Sequence, residues 1–246
     1  MVPGPKQSIT PAIGTPKRDA DRARASPVGT VDFGSLRRLT PISGVFGFDR
    51  GLCIDRHYIE RFLTRHASDI RGRVLEVADS EYTRRFGGDR VNRSDVLHAT
   101  TGNRKATIVG DLTRGETLPN DAFDCVILTQ TLQHVYDTPS AVRALYRALA
   151  TGGVVLASVP GISQISRYDM ERWGDFWRFT TLSARRLFEE AFDPAAVEIE
   201  AHGNALVACA FLHGLSADEL TPEELDHHDP DYQVLITIRA RKVGVP

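Results

Sequence analysis

Val74-Leu75-Glu76-Val77-Ala78-Asp79-Ser80 reads as a buried hydrophobic strand running into a carboxylate, the opening of a nucleotide-binding α/β unit. The turn that follows carries alanine, aspartate and serine where such units carry glycines. Glycine in that turn adopts positive φ freely and lets the backbone approach a ligand, whereas every other residue adds a Cβ that opposes both. The strand thus points to the fold, and the neighbouring segments have to show whether a binding site goes with it.

Working outward, 123–129 (FDCVILT) is a nearly continuous apolar run, as expected of a central parallel strand covered on both faces. Thr107-Ile108-Val109 is a further strand, followed at once by Gly110 and Asp111, so the strand-then-acid pattern repeats. Before these two, 90–95 reads as a short second strand ending in Asp95, and after them 154–159 (VVLASV) reads as another buried strand. Helical spacing fills the intervals. Asp55 is placed to cap a helix with Ile59, Phe62, Leu63 and His66 on one stripe. Thr138-Pro139 starts another, with Val142, Leu145, Tyr146 and Leu149 inward, stopped by Gly152-Gly153. Thr181 starts a third, with Ala184, Leu187, Phe188 and Ala191 inward. Near the C-terminus, 197–202 and 234–242 alternate apolar and polar residues and read as a half-exposed antiparallel edge pair. Strands alternating with helices, then a final strand pair, imply an α/β fold with a doubly wound, mostly parallel sheet and an antiparallel addition.

The chain has 246 residues, 41% hydrophobic and 25% charged, with a formal net charge of -2, which places it among ordinary globular proteins. No global basic field recommends nucleic acid or an anionic membrane, so a small molecule is the expected partner. Cys53, Cys125 and Cys209 are isolated and odd in number, against a disulfide framework or a zinc cluster, and a reducing cytoplasm is the expected compartment. No apolar run approaches the roughly 20 residues that span a bilayer. The proline-rich residues 1–29 read as a disordered tail, 30–54 as a flap, and 55–246 as one domain with a cover segment at 161–180 and a helical insertion at 204–230.

The order of elements resembles that of class I S-adenosylmethionine-dependent methyltransferases, in particular the small-molecule branch, over roughly residues 55–242. The resemblance is carried by Gly110-Asp111-Leu112, by Leu118-Pro119 leading into Phe123-Asp124, by Leu132-Gln133-His134-Val135 and by Leu149-Ala150-Thr151-Gly152-Gly153, all in family order. It implies a seven-stranded sheet with an antiparallel last strand and S-adenosylmethionine as cofactor. Carried over by position, Glu76 stands near the amino-acid portion of the cofactor and Ala78 in the glycine turn. Asp95 matches the acid whose two oxygens accept the ribose hydroxyls. Asp111 and Leu112 match the adenine contacts, and Thr129, Gln130 and His134 the segment facing the methionine part and the acceptor. Asp79 and Glu81 add negative charge to the turn, which suits a cationic cofactor without a pyrophosphate better than a dinucleotide.

His134 has a side chain whose ordinary pKa suits removal of a hydroxyl or amine proton; a packed or capping role is the plainer reading. Segment 161–180 holds Tyr168, Trp173, Phe176, Trp177 and Phe179 among charges. It reads either as a wall for a polar-faced ligand, with Tyr168 and Asp169 as its functional groups, or as a structural cover or dimer contact. Leu206, Cys209, Ala210 and His213 fall at helical spacing and read as core or dimer contact. The 227–231 cluster (HHDPD) lacks a metal-ligand spacing, and no metal is expected. The leading expectation is methyl transfer to an oxygen or nitrogen of a small polar metabolite, a sugar-containing one among the candidates, by a protein that can form a homodimer. A methyltransferase-like binding or scaffold protein is the alternative, as is the same fold running a cyclisation, elimination or hydrolysis.

Overall fold

The computed structural model describes residues 26–244, so the expected tail lies outside the described residues as far as position 25. Among the described residues, those up to Leu39 and those from Thr40 onward form two separate units. In the first, a single helical turn, Gly34–Leu36, precedes Arg37, whose guanidinium lies 5.0 Å above the Phe33 ring.

The second unit holds a seven-stranded sheet: β1 (Gly72–Val77), β2 (Val91–His98), β3 (Ile108–Val109), β4 (Phe123–Thr129), β5 (Leu149–Pro160), β6 (Val197–His202) and β7 (Leu235–Arg241), in spatial order 3-2-1-4-5-7-6. The first five are parallel and β7 runs antiparallel to both β5 and β6. The expected α/β sheet with its antiparallel last strand is therefore present. One part of the expectation is corrected. Of the last two strands only β6 is an edge; β7 is an interior strand, not half of an exposed edge pair. The alternating polar residues of β7 are accommodated because Thr237 and Arg239 have partners: Thr237 Oγ1 lies 3.0 Å from His202 Nε2, and Arg239 donates to Asp69 at 2.8 Å and Glu198 at 2.6 Å.

β4 is central because every side chain but Asp124 and Thr129 is apolar and fully buried. Val126 and Leu128 face one core, packed with α2 (Thr138–Ala148) and, through Leu187 and Phe188, α4 (Thr181–Glu189). Cys125 and Ile127 face the other, with α1 (Ile54–Arg65) and, through Val207 and Phe211, α5 (Ala205–Leu212). Each large side chain so covered contributes roughly 1.5–3 kcal/mol. Two short helices, α3 (Arg167–Met170) and α6 (Pro222–Asp226), complete the set. No helix among the described residues is long and apolar enough to cross a membrane.

Helix ends differ from expectation by a residue or two, for local reasons. α1 begins at Ile54 after Cys53, which a backbone bridge to Ser216 holds extended, so Asp55 falls in the first turn and accepts the Arg56 N–H at 2.7 Å. Asp137, not Thr138, caps α2 by accepting from Ser140 N at 3.1 Å. That helix ends before Leu149, and Gly152-Gly153 lie inside the irregular start of β5 instead of stopping a helix. Thr180, not Thr181, caps α4 in a reciprocal pair with Ser183. In α5 the buried residues are Val207, Ala208, Ala210 and Phe211; Leu206 and Cys209, expected inward, are exposed.

β2 runs three residues beyond Asp95, and this moves Asp95 from a strand end to mid-strand, opposite Leu75. The carboxylate is 2% exposed and accepts from Arg73 Nε at 2.7 Å, Thr107 Oγ1 at 3.0 Å and Arg93 Nη2 at 3.2 Å. Burial works against its charge, but the hydrogen bonds from Arg73, Thr107 and Arg93 outweigh it and hold the carboxyl below the usual range. β1 ends level with β2, and Ala78 follows it with φ of +73°, the left-handed region. Residues 47–53 are tied to 215–219 by Arg50, which donates to Glu219 at 2.9 Å, and by the Ala217 N–H, which donates to the Leu52 carbonyl at 2.7 Å; Glu219 also accepts from Ser216 N–H at 2.9 Å.

Three expectations follow. Ala78→Gly removes left-handed strain and raises the unfolding free energy by about 1 kcal/mol in chemical denaturation. Asp95→Asn strips the charge from a buried ion pair and lowers stability by about 3 kcal/mol. Glu219 is held at about 2, against an ordinary 4.5, chiefly by the Arg50 hydrogen bond. Its contribution to stability is therefore present above pH 4.5 and lost as pH falls toward 2. Glu219→Gln flattens that acid limb in denaturation midpoints measured across this window.

Candidate functional site

The spatial order reverses between β1 and β4, and at such a switch point the loops leaving the carboxyl ends of the strands diverge and open a crevice. A cleft of about 1160 Å³ lies there, floored by Val77 and Ala78 after β1, His98 and Ala99 at β2, Gly110 and Asp111 after β3, and Thr129 and Gln130 at β4. Single-ligand clefts are typically about 300–1,000 Å³, so this one has room for a large cofactor and a smaller molecule beside it. Three of the four non-glycine residues with positive φ among the described residues, Phe46, Ala78 and Gln130, line it. Backbone strain of this kind concentrates at functional sites because the surroundings must hold it in place.

The turn after β1 is held from within. Glu76, 4% exposed, accepts from Thr83 N at 2.8 Å, Thr83 Oγ1 at 2.7 Å and Tyr82 N at 3.2 Å, and burial nonetheless pushes its carboxyl up. Glu76 lines the cleft, but most of its acceptor capacity goes to shaping the turn. Ala78 is fixed on both sides, its N–H donating to the Leu97 carbonyl at 3.0 Å and its carbonyl accepting from Asn103 Nδ2 at 2.5 Å. The glycine conformation thus survives without glycine.

Of the other expected cofactor residues, Asp111 reaches the rim, where its carboxylate accepts from Thr113 N and Oγ1, both at 2.8 Å, while Leu112 is buried behind it; both line the cleft. Thr129 and Gln130 line it as well, Gln130 anchored by its N–H to the Ser158 carbonyl at 3.0 Å. Asp95 does not. The residues that β2 brings to the cleft are Leu97 and His98, so the acid expected to meet the ribose is a structural ion pair deeper in the strand.

His134 closes a turn after β4, with Nδ1 2.7 Å from the Gly174 carbonyl. A carbonyl only accepts, so Nδ1 carries the proton and the Nε2 lone pair is free. Gln133 beside it is 94% buried at the cleft wall, its amide nitrogen donating to Gln130 Oε1 at 2.9 Å and its own Oε1 without a partner.

The cover segment crosses over the cleft. Its stem is pinned where Arg178 donates to both oxygens of Asp175, at 2.6 and 2.9 Å, and to the Gln164 carbonyl at 2.6 Å, while Ser166 N–H donates to Asp175 at 3.0 Å. Burial alone would raise the Asp175 carboxyl, but Arg178 and Ser166 bring it below the usual range. Phe176 N–H donates to the Gln133 carbonyl at 2.8 Å, and Trp173 meets His98 edge-on, centroids 5.4 Å apart, so the segment bridges from β5 to the end of β2. Asp169 lines the cleft, accepting from Ser166 Oγ at 2.6 Å. Tyr168 does not line it: its ring is 66% exposed and covered by the Arg172 guanidinium at 3.5 Å.

Sequence reasoning missed the α1 contribution. Asp55, Arg56 and Glu60 form one wall with Tyr82, and burial pushes the Asp55 carboxyl up. The signal was available, since Arg56 and Glu60 are four apart on the polar side of a helix whose apolar stripe is plain. Among the described residues, nine carboxylates and three arginines line the cleft, and of those carboxylates only Glu60 and Asp175 are held within 3 Å by an arginine, Arg85 and Arg178. The cleft is therefore acidic and favours a cationic ligand.

Comparison with known proteins agrees with this geometry. The sequence profile of a family described as a methyltransferase domain matches residues 51–196. No curated protein matches significantly. Among solved structures, phosphoethanolamine N-methyltransferase 2 of Haemonchus contortus, in complex with S-adenosyl-L-methionine, is 15% identical with a TM-score of 0.50, over 76% of this chain and 53% of that one, so the chain spans about half its length. A SAM-dependent methyltransferase from Archaeoglobus fulgidus is 13% identical, also at 0.50, over 76% and 94% of the two chains. An S-adenosylmethionine-dependent methyltransferase from Mesorhizobium loti is 17% identical at 0.50, over 78% and 99%. At these identities the structures speak for the fold, and the profile, which covers more than half of the residues, speaks for descent: the chain belongs to the methyltransferase domain family.

Proposed function

We propose that this protein transfers a methyl group from S-adenosylmethionine to an oxygen or nitrogen of a small polar metabolite. The observation that carries the reading is the free Nε2 of His134 at a roofed cleft whose floor keeps the turn of a cofactor site. The residues present fit the cofactor: the cleft holds an acidic lining for a sulfonium, the Ala78 turn keeps its shape, and Asp111 with Leu112 offers an acceptor beside an apolar surface for an adenine. The missing glycines, which favoured a non-catalytic binding protein, lose that force once Ala78 is seen to hold their conformation.

When bound, the cofactor supplies a carbon already activated by positive sulfur, so the chain's task is alignment and removal of one proton. The 161–180 segment excludes water and, through Trp173 and Phe176, offers aromatic surface with Asp169, Ser163 and Gln164 interspersed, a lining that suits the polar edges and apolar faces of a sugar-like acceptor. His134 Nε2 takes the acceptor's proton as the nucleophile attacks, and the Gly174 carbonyl keeps the tautomer that allows it. Three unpaired cysteines, two of them buried, favour a reducing cytoplasm as the place of action.

Calorimetric titration with S-adenosylmethionine and S-adenosylhomocysteine tests the cofactor; absence of heat at millimolar ligand overturns the reading. With an acceptor in hand, His134→Ala lowers kcat by about 10²-fold or more with cofactor affinity kept. Unchanged turnover removes His134 as the base, and a product without an added methyl mass assigns the cleft to another reaction.

A further inference from the structure

Tyr136, Phe176 and Trp177 are 70%, 48% and 38% exposed, yet they form one cluster at the mouth of the cleft. The Tyr136 ring stacks on Trp177, centroids 5.6 Å apart, and meets Phe176 edge-on at 5.4 Å; Tyr136 and Phe176 also line the cleft. Three hydrogen bonds tie residues 133–135 to 174–177 and brace the cluster. Phe176 N–H donates to the Gln133 carbonyl at 2.8 Å, His134 Nδ1 to the Gly174 carbonyl at 2.7 Å, and Trp177 Nε1 to the Val135 carbonyl at 3.1 Å. Contiguous apolar rings left in water on a braced scaffold mark a contact surface. Tyr136 follows His134 by two residues, a span of at most about 7 Å, so whatever lies on the rings adjoins the group at His134.

Two properties say what this surface takes. It is continuous with the cleft, so its occupant is part of the molecule that reaches His134, and the next residue on its rim is the carboxylate Asp137. A lipid tail would set that carboxylate against hydrocarbon, whereas a sugar ring offers an apolar face to the aromatics and hydroxyl donors to the acid. The excess of carboxylates in the cleft also disfavours an anionic membrane. We propose that Tyr136, Phe176 and Trp177 form an outer acceptor subsite, which stacks a neutral sugar ring joined to the one that is methylated. The inference rests on the methyl-transfer reading and narrows its acceptor to a glycoside of at least two rings.

Titration of the full chain with maltohexaose, cellohexaose and chitohexaose, followed by calorimetry and tryptophan fluorescence, tests the subsite. At least one of these neutral oligosaccharides binds at millimolar concentration or below and changes the tryptophan emission, because stacking reads the sugar face more than the linkage. Tyr136→Ala weakens that binding about 3- to 10-fold, the range of one aromatic contact, while affinity for S-adenosylmethionine stays within about twofold. Tyr136→Phe, which keeps the ring, keeps the saccharide affinity. Trp177→Ala acts like Tyr136→Ala where thermal melting shows a folded protein; where it does not, Tyr136, the more exposed ring, decides the matter. Binding of none of the three at about 10 mM, or binding unchanged in Tyr136→Ala, overturns the subsite. A Tyr136→Ala that turns a dimer into a monomer in sedimentation, with saccharide binding unaffected, assigns the rings to contact between copies and likewise overturns it. Those failures leave cofactor binding intact. A wild type that takes an oligosaccharide but gives no heat with S-adenosylmethionine overturns methyl transfer instead, and the bound sugar is then no acceptor.

Discussion

The burial of β4 on both faces is the constraint from which the rest of the structure follows. Successive side chains of a strand point to opposite faces, so a strand apolar at nearly every position must be covered twice. Val126 and Leu128 look toward α2 and α4, Cys125 and Ile127 toward α1 and α5, and the two cores continue on the opposite faces of its neighbours β1 and β5. With β1 and β5 flanking it in parallel, the sheet grows away from β4 in both directions, and the reversal between β1 and β4 opens the cleft. The site is thus a consequence of how the core is divided.

The turn after β1 takes a left-handed backbone without a glycine. A left-handed residue after β1 is retained by hydrogen bonds to Leu97 and from Asn103, so the chain accepts an alanine's strain at a position that glycine would adopt freely. Glu76 spends its oxygens on Tyr82 and Thr83, and a turn that lacks glycine is held in place by the very acid that precedes it. Negative charge accumulates around this turn, and Arg56 is the one cation of that wall.

Most of the fold was legible because its signals are local. The apolar run of β4, the alternation in β6 and the stripe of α1 depend on neighbours in sequence, and they place these three elements to within a residue or two. Asp111, Thr129, Gln130 and His134, which line the cleft, were legible as residues at strand ends and their turns for the same reason. Asp95 was not, because strand length is settled by pairing with β1 and β3, and three further paired residues carried the end of β2 past it. Tyr168 was misplaced because a one-turn helix leaves side-chain direction to contacts, and Arg172 drew the ring outward.

By itself the sequence determined the α/β class, the order of strands along the chain and the acids that follow them, since these rest on burial periodicity and turn chemistry. Only the tertiary structure decided that β7 lies inside the sheet, where Thr237 and Arg239 find partners across two neighbouring strands. It also decided which acids face the cleft, that α1 supplies Arg56 and Asp55 to it, and that Gly174, forty residues on, fixes the His134 tautomer. These are contacts between segments distant in the chain, and no local pattern carries them.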